Sequence, residues 1–394
     1  MDVSMKMLKA VIITLLIISA AVLAINAPDE ELRSEVKTII DNADSLPPEG
    51  GADTNNAYFA VLGFESSEGK DIAAEGKRIH AQYYQSLKED SLQKVNISGA
   101  GEPLKFARPS AIAQCSYDTI LPVRSGCLTF YAQNNSNHAQ LYQDNNLLLG
   151  RYSQLRSYAE YRDLMVPAPW SSPADLSSAI YSAHLLYAAE AANLFNQGQQ
   201  QQAIKMLIGD IGIWRKFLAG TANTAGKICA QQALMRNYTL LKEMSGSYTG
   251  DTRSYEMKAA LAPLTQEEKS FDLVVDGYIQ HLWRSLSRKR WPFTQKKMSL
   301  VQRFFCRENA TLNLAYEICD SLKRTANVAP EQLKTERTIL AEKIQNAGKV
   351  RIDMLYNPVG KLIVAEAFSS GVSSLNTRIQ LVTDKISALG KSTL

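Results

Sequence analysis

Three Gly-Lys pairs are the residues that come closest to a nucleotide-binding motif: Gly69-Lys70, Gly226-Lys227 and Gly360-Lys361. A phosphate-binding loop follows a strand and reads G-x-x-x-x-G-K-[ST]. Its backbone N–H groups surround the phosphates and its hydroxyl binds magnesium. In this sequence Asp, Ile or Leu follows the lysine, and no upstream glycine has the required spacing. We therefore expect no nucleotide site. Asn357-Pro358, just before the third pair, predicts the start of a helix instead.

The histidines form no recognisable catalytic or metal-binding pattern. No two of them are four residues apart, and the sequence contains neither H-E-x-x-H nor G-x-S-x-G. His184 shares a helical face with Leu176 and Ile180, which predicts a hydrogen-bonded core histidine. Glu65 and Glu68 are close in sequence, but proximity alone does not give the separation that acid–base catalysis needs. The sequence predicts no catalytic residue, no cofactor and no metal ligand.

The strongest charge feature is a basic segment, residues 284–307, which has interleaved aromatic residues and no acidic residue. The residues expected to form its surface are Arg284, Arg288, Lys289, Arg290, Lys296, Lys297 and Arg303. Such a surface suits anionic lipid headgroups or a protein partner. The alternative is a solvated helix end whose aromatic residues face the core. Nucleic acid is not expected, because the net charge is only +4 and the chain is predicted to be exported.

An apolar run at residues 10–25 is the most specific signal in the sequence. Lys6 and Lys9 precede it, and the acidic segment PDEELRSE follows. This order of charges predicts a cytoplasmic amino end and a body in the periplasm. The length fits a retained single-pass anchor in the inner membrane. It also fits a signal peptide cleaved after Ala24 or Ala27, which would leave a soluble periplasmic protein.

The spacing of the cysteines predicts two local disulfides in an exported chain, Cys115–Cys127 and Cys306–Cys319, with Cys229 left over. Each would contribute about 3 kcal/mol to stability in the chain-entropy model. Other connectivities and buried reduced thiols stay open. No C-x-x-C occurs, which argues against redox catalysis and a structural zinc site.

Hydrophobic periodicity predicts a mostly α fold: an array or bundle of antiparallel amphipathic helices with one irregular, loop-rich region near residues 91–137. The predicted segments are a leader (1–27), a short helix and linker (28–56), N-terminal helices with the irregular region (57–137), and a helical body (138–394). Within the body we expect a helical hairpin turning at Gln197-Gly198. We also expect one helix at 299–322, and a pause near Ser369 in the last helix.

Two stretches, NNAYFAVLGFESSEGKD (55–71) and YNPVGKLIVAEA (356–367), lie behind the apolar segment. Together they resemble a group of uncharacterised envelope proteins of Gram-negative bacteria. The resemblance implies an N-terminally anchored protein that faces the periplasm, and it supplies no activity or catalytic residue. We expect a non-enzymatic, membrane-tethered protein that binds an envelope partner or acts as a scaffold. The alternatives are an envelope hydrolase with a non-obvious active site and a carrier of an apolar ligand.

Overall fold

The computed structural model describes residues 2–44, 55–88, 104–109, 126–164, 178–246, 255–292, 296–328, 330–348, 355–369, 379, 382–384 and 386–388. The chain divides into two compact units. Unit 1 is Met1–Leu46, Val166–Trp170 and Val275–Ser374; unit 2 is Pro47–Met165, Ser171–Val274 and Leu375–Leu394. Residues 138–394 contribute to both units, so the predicted segments and the units do not coincide. Periodicity identifies helices, but it does not show which helices pack together.

The predicted mostly helical class is confirmed, and the described residues contain no β-strand. The α-helices that lie wholly in unit 2 are α3 (Tyr58–Leu62), α4 (Ile72–Lys88), α5 (Cys127–Gln133), α6 (Asn135–Asp144), α7 (Asn146–Gln154), α8 (Ser178–Asn196), α9 (Gln200–Gly220), α10 (Thr224–Ser245), α11 (Tyr255–Ala260) and α12 (Gln266–Lys269). The others are α1 (Asp2–Ile25), α2 (Ser34–Asp44), α13 (Asp272–Ser287), α14 (Leu300–Phe304), α15 (Glu308–Asn327), α16 (Pro330–Gly348) and α17 (Pro358–Ser369).

In unit 2 the core is built around α8, α9 and α10. The predicted hairpin is present, because α8 and α9 pack together and Gly198 provides the turn with a φ of 86°. Ala183, Ala188 and Ala191 on α8 are fully buried, which lets neighbouring helices approach closely. Trp214 on α9 is fully buried as well. Fully buried small residues on one helix and a fully buried large one on the next form this interior.

Part of the predicted irregular region is helical. Both α5 and the start of α6 lie inside residues 91–137, whereas 104–109 has no regular secondary structure. Glu243 on α10 accepts hydrogen bonds from the N–H groups of Cys127 and Leu128, at 3.3 and 2.9 Å. It therefore satisfies the first turn of α5, which a sequence pattern cannot show. Cys127 is disulfide-bonded. Its pairing with Cys115 stays a prediction, because Cys115 lies outside the described residues.

In unit 1 the predicted helix at 299–322 is wrong in one respect, because it is two helices. Ser299 and Gln302 form a capping box that starts α14, and α15 begins anew at Glu308. The break is stabilised by Asn357, whose side-chain oxygen accepts from the N–H of Arg307 at 2.8 Å. The predicted pause near Ser369 stays a prediction, because α17 is described as far as Ser369 and the residues directly after it lie outside the described part of the chain.

The predicted Cys306–Cys319 disulfide is also wrong, because both cysteines are free thiols, as is Cys229. Cys306 precedes α15, and Cys319 lies inside it. The helix rises by roughly 16 Å between Glu308 and Cys319, whereas a disulfide needs Cα atoms within about 7 Å. Burial raises the pKa of Cys306 to about 11 and raises that of Cys319 further, so both favour the thiol form.

Candidate functional site

Helix α1 is long and apolar enough to cross a membrane. Its apolar part, Met7–Ile25, spans 19 residues with a mean hydropathy of 2.7 and is not buried against the rest of the protein. The predicted run at 10–25 is therefore lengthened by Met7, Leu8 and Lys9. Length and composition alone fit both an anchor and a signal sequence.

The end of α1 is hydrogen-bonded to the body of unit 1 through Asn26. This side chain is fully buried. Its amide donates to the carbonyl of Val22 at 2.9 Å and to that of Leu355 at 2.5 Å. Its oxygen accepts from the N–H of Asn357 at 2.8 Å. One side chain therefore joins the last turn of α1 to the segment that precedes α17. We call this group, with the partners of Asn357, the joint.

Asn357 is the centre of the joint. Its side-chain oxygen accepts from the N–H groups of Arg307 and Gly360, and its amide donates to the hydroxyl of Thr311 at 3.1 Å. It has a φ of 51°, a left-handed conformation that asparagine tolerates better than most residues. The predicted helix start is confirmed, because α17 begins at Pro358. The sequence did not reveal that the same side chain also binds Thr311 of α15, or that the backbone N–H of Asn357 donates to Asn26.

The residues directly after α1 bind the first turn of α15. The carboxylate of Asp29 accepts from the N–H groups of Asn309 and Ala310 at 3.0 and 3.1 Å. A carboxylate at this position satisfies free N–H groups and interacts favourably with the helix dipole. Asn313 donates to the carbonyl of Glu31 and accepts from the N–H of Arg33. The chain is thus held continuously from Asn26 to the start of α2.

The basic segment is partly a surface, as predicted. The exposed members of the predicted set are Lys289, Lys296, Lys297 and Arg303, and the half-buried ones are Arg284, Arg288 and Arg290. Lys289 pairs with Glu308 at 3.1 Å. Backbone hydrogen bonds join Trp291 to Lys296 and Met298 to Lys289. They hold Lys296 and Lys297 beside residues 289–291.

Exposed apolar side chains lie in the same part of unit 1. Outside α1, the described exposed large apolar residues are Leu147, Leu300, Val301, Phe304, Ile339, Leu355 and Leu362. All except Leu147 and Ile339 belong to α14, to α17, or to the segment that binds Asn26. Leu300 and Val301 on α14 are 81% and 66% exposed. Exposed apolar groups concentrated in one place indicate a binding surface.

Unit 2 contains a different polar cluster, which we call the Asp210 network. The carboxylate of Asp210 accepts from the hydroxyl of Tyr152 at 2.5 Å, from Nδ1 of His184 at 2.8 Å and from the amide of Asn237 at 2.7 Å. Trp214 donates to the Tyr152 hydroxyl at 2.8 Å. All five side chains are fully buried. The network therefore joins α7, α8, α9 and α10 from inside the core.

The Asp210 network is arranged like the aspartate–histidine pair of a hydrolase, but its surroundings are those of a core. Burial lowers the pKa of His184 even though Asp210 opposes the shift, so the imidazole is neutral. Its Nε2 has no hydrogen-bond partner among the described residues. The ring packs edge-on against Trp214, with centroids 5.2 Å apart. With no exposed atom, this histidine cannot reach a substrate in the described conformation, and its predicted core role is confirmed.

Two of the three Gly-Lys pairs, Gly226-Lys227 and Gly360-Lys361, have structural roles. Lys227 is buried and donates to the carbonyl of Leu218 at 2.5 Å, and burial lowers its pKa to about 7. Gly360 allows the joint to form, because an added Cβ would meet the Thr311 hydroxyl at 2.0 Å and the Asn357 oxygen at 2.2 Å. No described group of three or more His, Cys, Asp or Glu residues has the geometry of a metal site.

A cleft of about 530 Å³ in unit 1 is lined by Glu31, Leu32, Lys37, Ile40, Asp41, Trp283, Glu308, Asn309 and Leu312. It is open to solvent and carries charges of both signs. It therefore differs from the enclosed apolar cavity that a carrier of an apolar ligand needs.

Comparison of the chain with family models, curated proteins and solved structures gives no match. The resemblance to Gram-negative envelope proteins therefore stays a prediction that rests on the two sequence stretches, and the geometry above is the basis for a functional proposal.

Proposed function

We propose that this chain is a non-enzymatic envelope protein that α1 tethers in the inner membrane, with a helical body in the periplasm that binds a protein partner or acts as a scaffold. The joint carries this proposal. A signal peptide is removed from the mature protein, so its last residues have no role in the folded body. Here Asn26, inside the stretch where cleavage was considered, is buried and binds both Leu355 and Asn357.

Cleavage at either predicted position would disrupt the joint. Removal of residues 1–27 would leave the N–H of Asn357 without its acceptor. Each stranded buried group costs about 1–3 kcal/mol. Cleavage after Ala24 would remove Val22, which accepts from Asn26, and would put a charged amine next to the joint. The hydrogen bonds therefore favour retention of α1 over the soluble periplasmic alternative.

The arrangement of polar groups in unit 2 favours a scaffold over a hydrolase. In the Asp210 network, Asp210, Tyr152 and Trp214 are hydrogen-bonded to one another in the core, and all three are fully buried. The charge order around α1, with Lys6 and Lys9 before it and acidic residues after it, supports a periplasmic body.

Topology and attachment can be tested together. We expect alkaline phosphatase fused after residue 50 to be active, and the unfused protein to remain in the membrane pellet after alkaline carbonate extraction. An inactive fusion would contradict the periplasmic body, and extraction by carbonate would contradict the tether. Crosslinking in intact cells should yield a discrete adduct with a second protein. A chain that forms no adduct would contradict the partner-binding role.

A further inference from the structure

We propose that unit 1 docks against the anionic bilayer surface at the point where α1 leaves the membrane, through the exposed apolar residues of α14 and the basic residues next to them. This inference rests on the proposed tether, and it names the bilayer as the binding partner of one surface of unit 1. The docking surface consists of Leu300, Val301 and Phe304 with Lys296, Lys297 and Arg303.

The first argument is position relative to the end of α1. Asn26 binds the N–H of Asn357, and Asn357 binds the N–H of Arg307, three residues beyond the end of α14. The N–H of Val359 also donates to the carbonyl of Phe305 at 3.1 Å. Two successive hydrogen bonds therefore connect Asn26, the residue directly after α1, to Arg307, three residues beyond the end of α14. A membrane that contains α1 must come close to α14.

The second argument is the kind of residue exposed there. Leu300 and Val301 are more exposed than any other described large apolar residue outside α1, and they precede Arg303 on the same short helix. Apolar side chains next to cationic ones are the combination that lies at the boundary between headgroups and acyl chains. Their exposure has a physical explanation if lipid covers them.

The third argument is charge. Segment 296–304 contains Lys296, Lys297 and Arg303 and no acidic residue. The acidic side chains with contacts close to it are Asp29, Glu308 and Glu366, and Glu366 accepts from the indole N–H of Trp291 at 3.1 Å. Asp29 binds the N–H groups at the start of α15, and Glu308 pairs with Lys289. The exposed charge of the segment 296–304 is therefore positive. Each basic residue near an anionic membrane strengthens docking by about fivefold, whereas a zwitterionic surface provides no such gain.

The test uses the full-length chain in vesicles of phosphatidylcholine, with or without an equal part of phosphatidylglycerol, each containing a phospholipid with a photoreactive group near its headgroup. Mass spectrometry locates the labelled residues. We expect label in α1 in both vesicles, and label in residues 296–304 at least about fivefold stronger with phosphatidylglycerol.

Two sets of variants test the surface without disturbing the fold. Leu300→Ser with Val301→Ser changes only exposed side chains and should abolish the label on α14. Lys296→Glu, Lys297→Glu and Arg303→Glu together should remove the preference for phosphatidylglycerol. The matched control reverses the same number of exposed charges in unit 2, Lys205→Glu, Lys242→Glu and Lys258→Glu, and should leave the labelling unchanged.

The outcomes separate this proposal from the tether. Label in α1 but not in 296–304 would overturn docking and leave the tether standing. Label in neither would overturn both. Equal labelling of 296–304 in the two vesicles, or an equal loss of label in the unit 2 control, would contradict the electrostatic recognition. Adducts joining two copies through 300–304 would assign the surface to a second chain and overturn lipid docking.

Discussion

The joint in unit 1 and the Asp210 network in unit 2 are both buried hydrogen-bond clusters centred on one short side chain. In the network, every partner of Asp210 is another side chain inside a helix, and no exposed apolar residue takes part. In the joint, the Asn357 side chain accepts from backbone N–H groups at the start of α17 and just before α15. Its own backbone N–H donates to the side chain of Asn26, the residue directly after α1. The first arrangement stabilises packed helices, whereas the second fixes where helices begin and end. A cluster that fixes helix ends can orient α1 relative to the rest of unit 1.

The largest effect is expected from Asp210→Ala. This change leaves the donors of Tyr152, His184 and Asn237 buried without an acceptor. Each stranded donor costs about 1–3 kcal/mol, so the free energy of unfolding should fall by at least about 3 kcal/mol. Chemical denaturation of the detergent-solubilised protein measures this change.

The matched control for that substitution is Asp144→Ala. Asp144 is exposed on α6 and accepts only from Gln140 among its described side-chain hydrogen bonds. We expect a change within about 0.5 kcal/mol. If the two variants were equally stable, the network would contribute nothing to the stability of unit 2.

The second effect concerns the joint. In Gly360→Ala, the added methyl group would collide with Thr311 and Asn357, so the hydrogen bonds around Asn357 should break. We expect faster hydrogen exchange at the amides of Arg307 and Gly360, and a loss of about 1–3 kcal/mol. Gly150→Ala is the control, since an added Cβ there meets nothing within 4 Å. Replacement of this helical glycine should be neutral or stabilise by up to about 1 kcal/mol. Unchanged exchange in Gly360→Ala would show that the joint does not depend on this close contact.

The third prediction uses pH to separate the two units. Burial lowers the pKa of His80 in unit 2 from 6.5 to about 4, and its Nδ1 lies 3.0 Å from the Tyr58 hydroxyl. The unfolded chain therefore binds the proton more readily than the folded one between about pH 4 and 6.5. The stability that comes from keeping His80 neutral is fully present above pH 6.5, and it is lost as the pH falls toward 4.

Thermal unfolding of the wild type and of His80→Phe across this range measures the effect. The substitution removes the partner of Tyr58 and should lower the melting temperature at neutral pH, but it should also flatten the decline with acid. The hydrogen bonds of Asn26 and Asn357 involve only amide and hydroxyl groups that carry no charge, so their exchange protection should not follow the same titration. An identical slope in both proteins would contradict the role of His80.

The smallest effect is expected on the docking surface. Leu300→Ser with Val301→Ser changes side chains that are mostly exposed, so the free energy of unfolding in detergent should stay within about 0.5 kcal/mol. A larger loss would mean that α14 stabilises unit 1, and its exposed residues would then need a different explanation.

The sequence predicted local features well and long-range contacts poorly. The hairpin at Gly198 and the helix start at Pro358 depend on neighbouring residues, and both were predicted. The break before α15 was not, because it depends on a hydrogen bond between Arg307 and a residue fifty positions away. The Cys306–Cys319 pairing failed for a different reason, because the spacing of two cysteines does not show whether a helix lies between them.

The candidate site was predicted only in part. Lys296, Lys297 and Arg303 were expected to form a surface, and they are exposed. The exposed Leu300 and Val301 beside them lay within a predicted helix, whose buried face could not be assigned without knowing its partner. Asn26 was considered only as part of a cleavage site, because its partners Leu355 and Asn357 lie more than three hundred residues further along the chain.

The intact mass of the protein isolated from cell membranes tests the retained anchor most directly. If the joint belongs to the mature protein, the mass will correspond to the chain that includes residues 1–27, close to 43.6 kDa. A mature chain that starts at Ile25 or Pro28 would contradict the account, because α1 would then be a cleaved signal and the hydrogen bonds of Asn26 would not hold a membrane helix to the body.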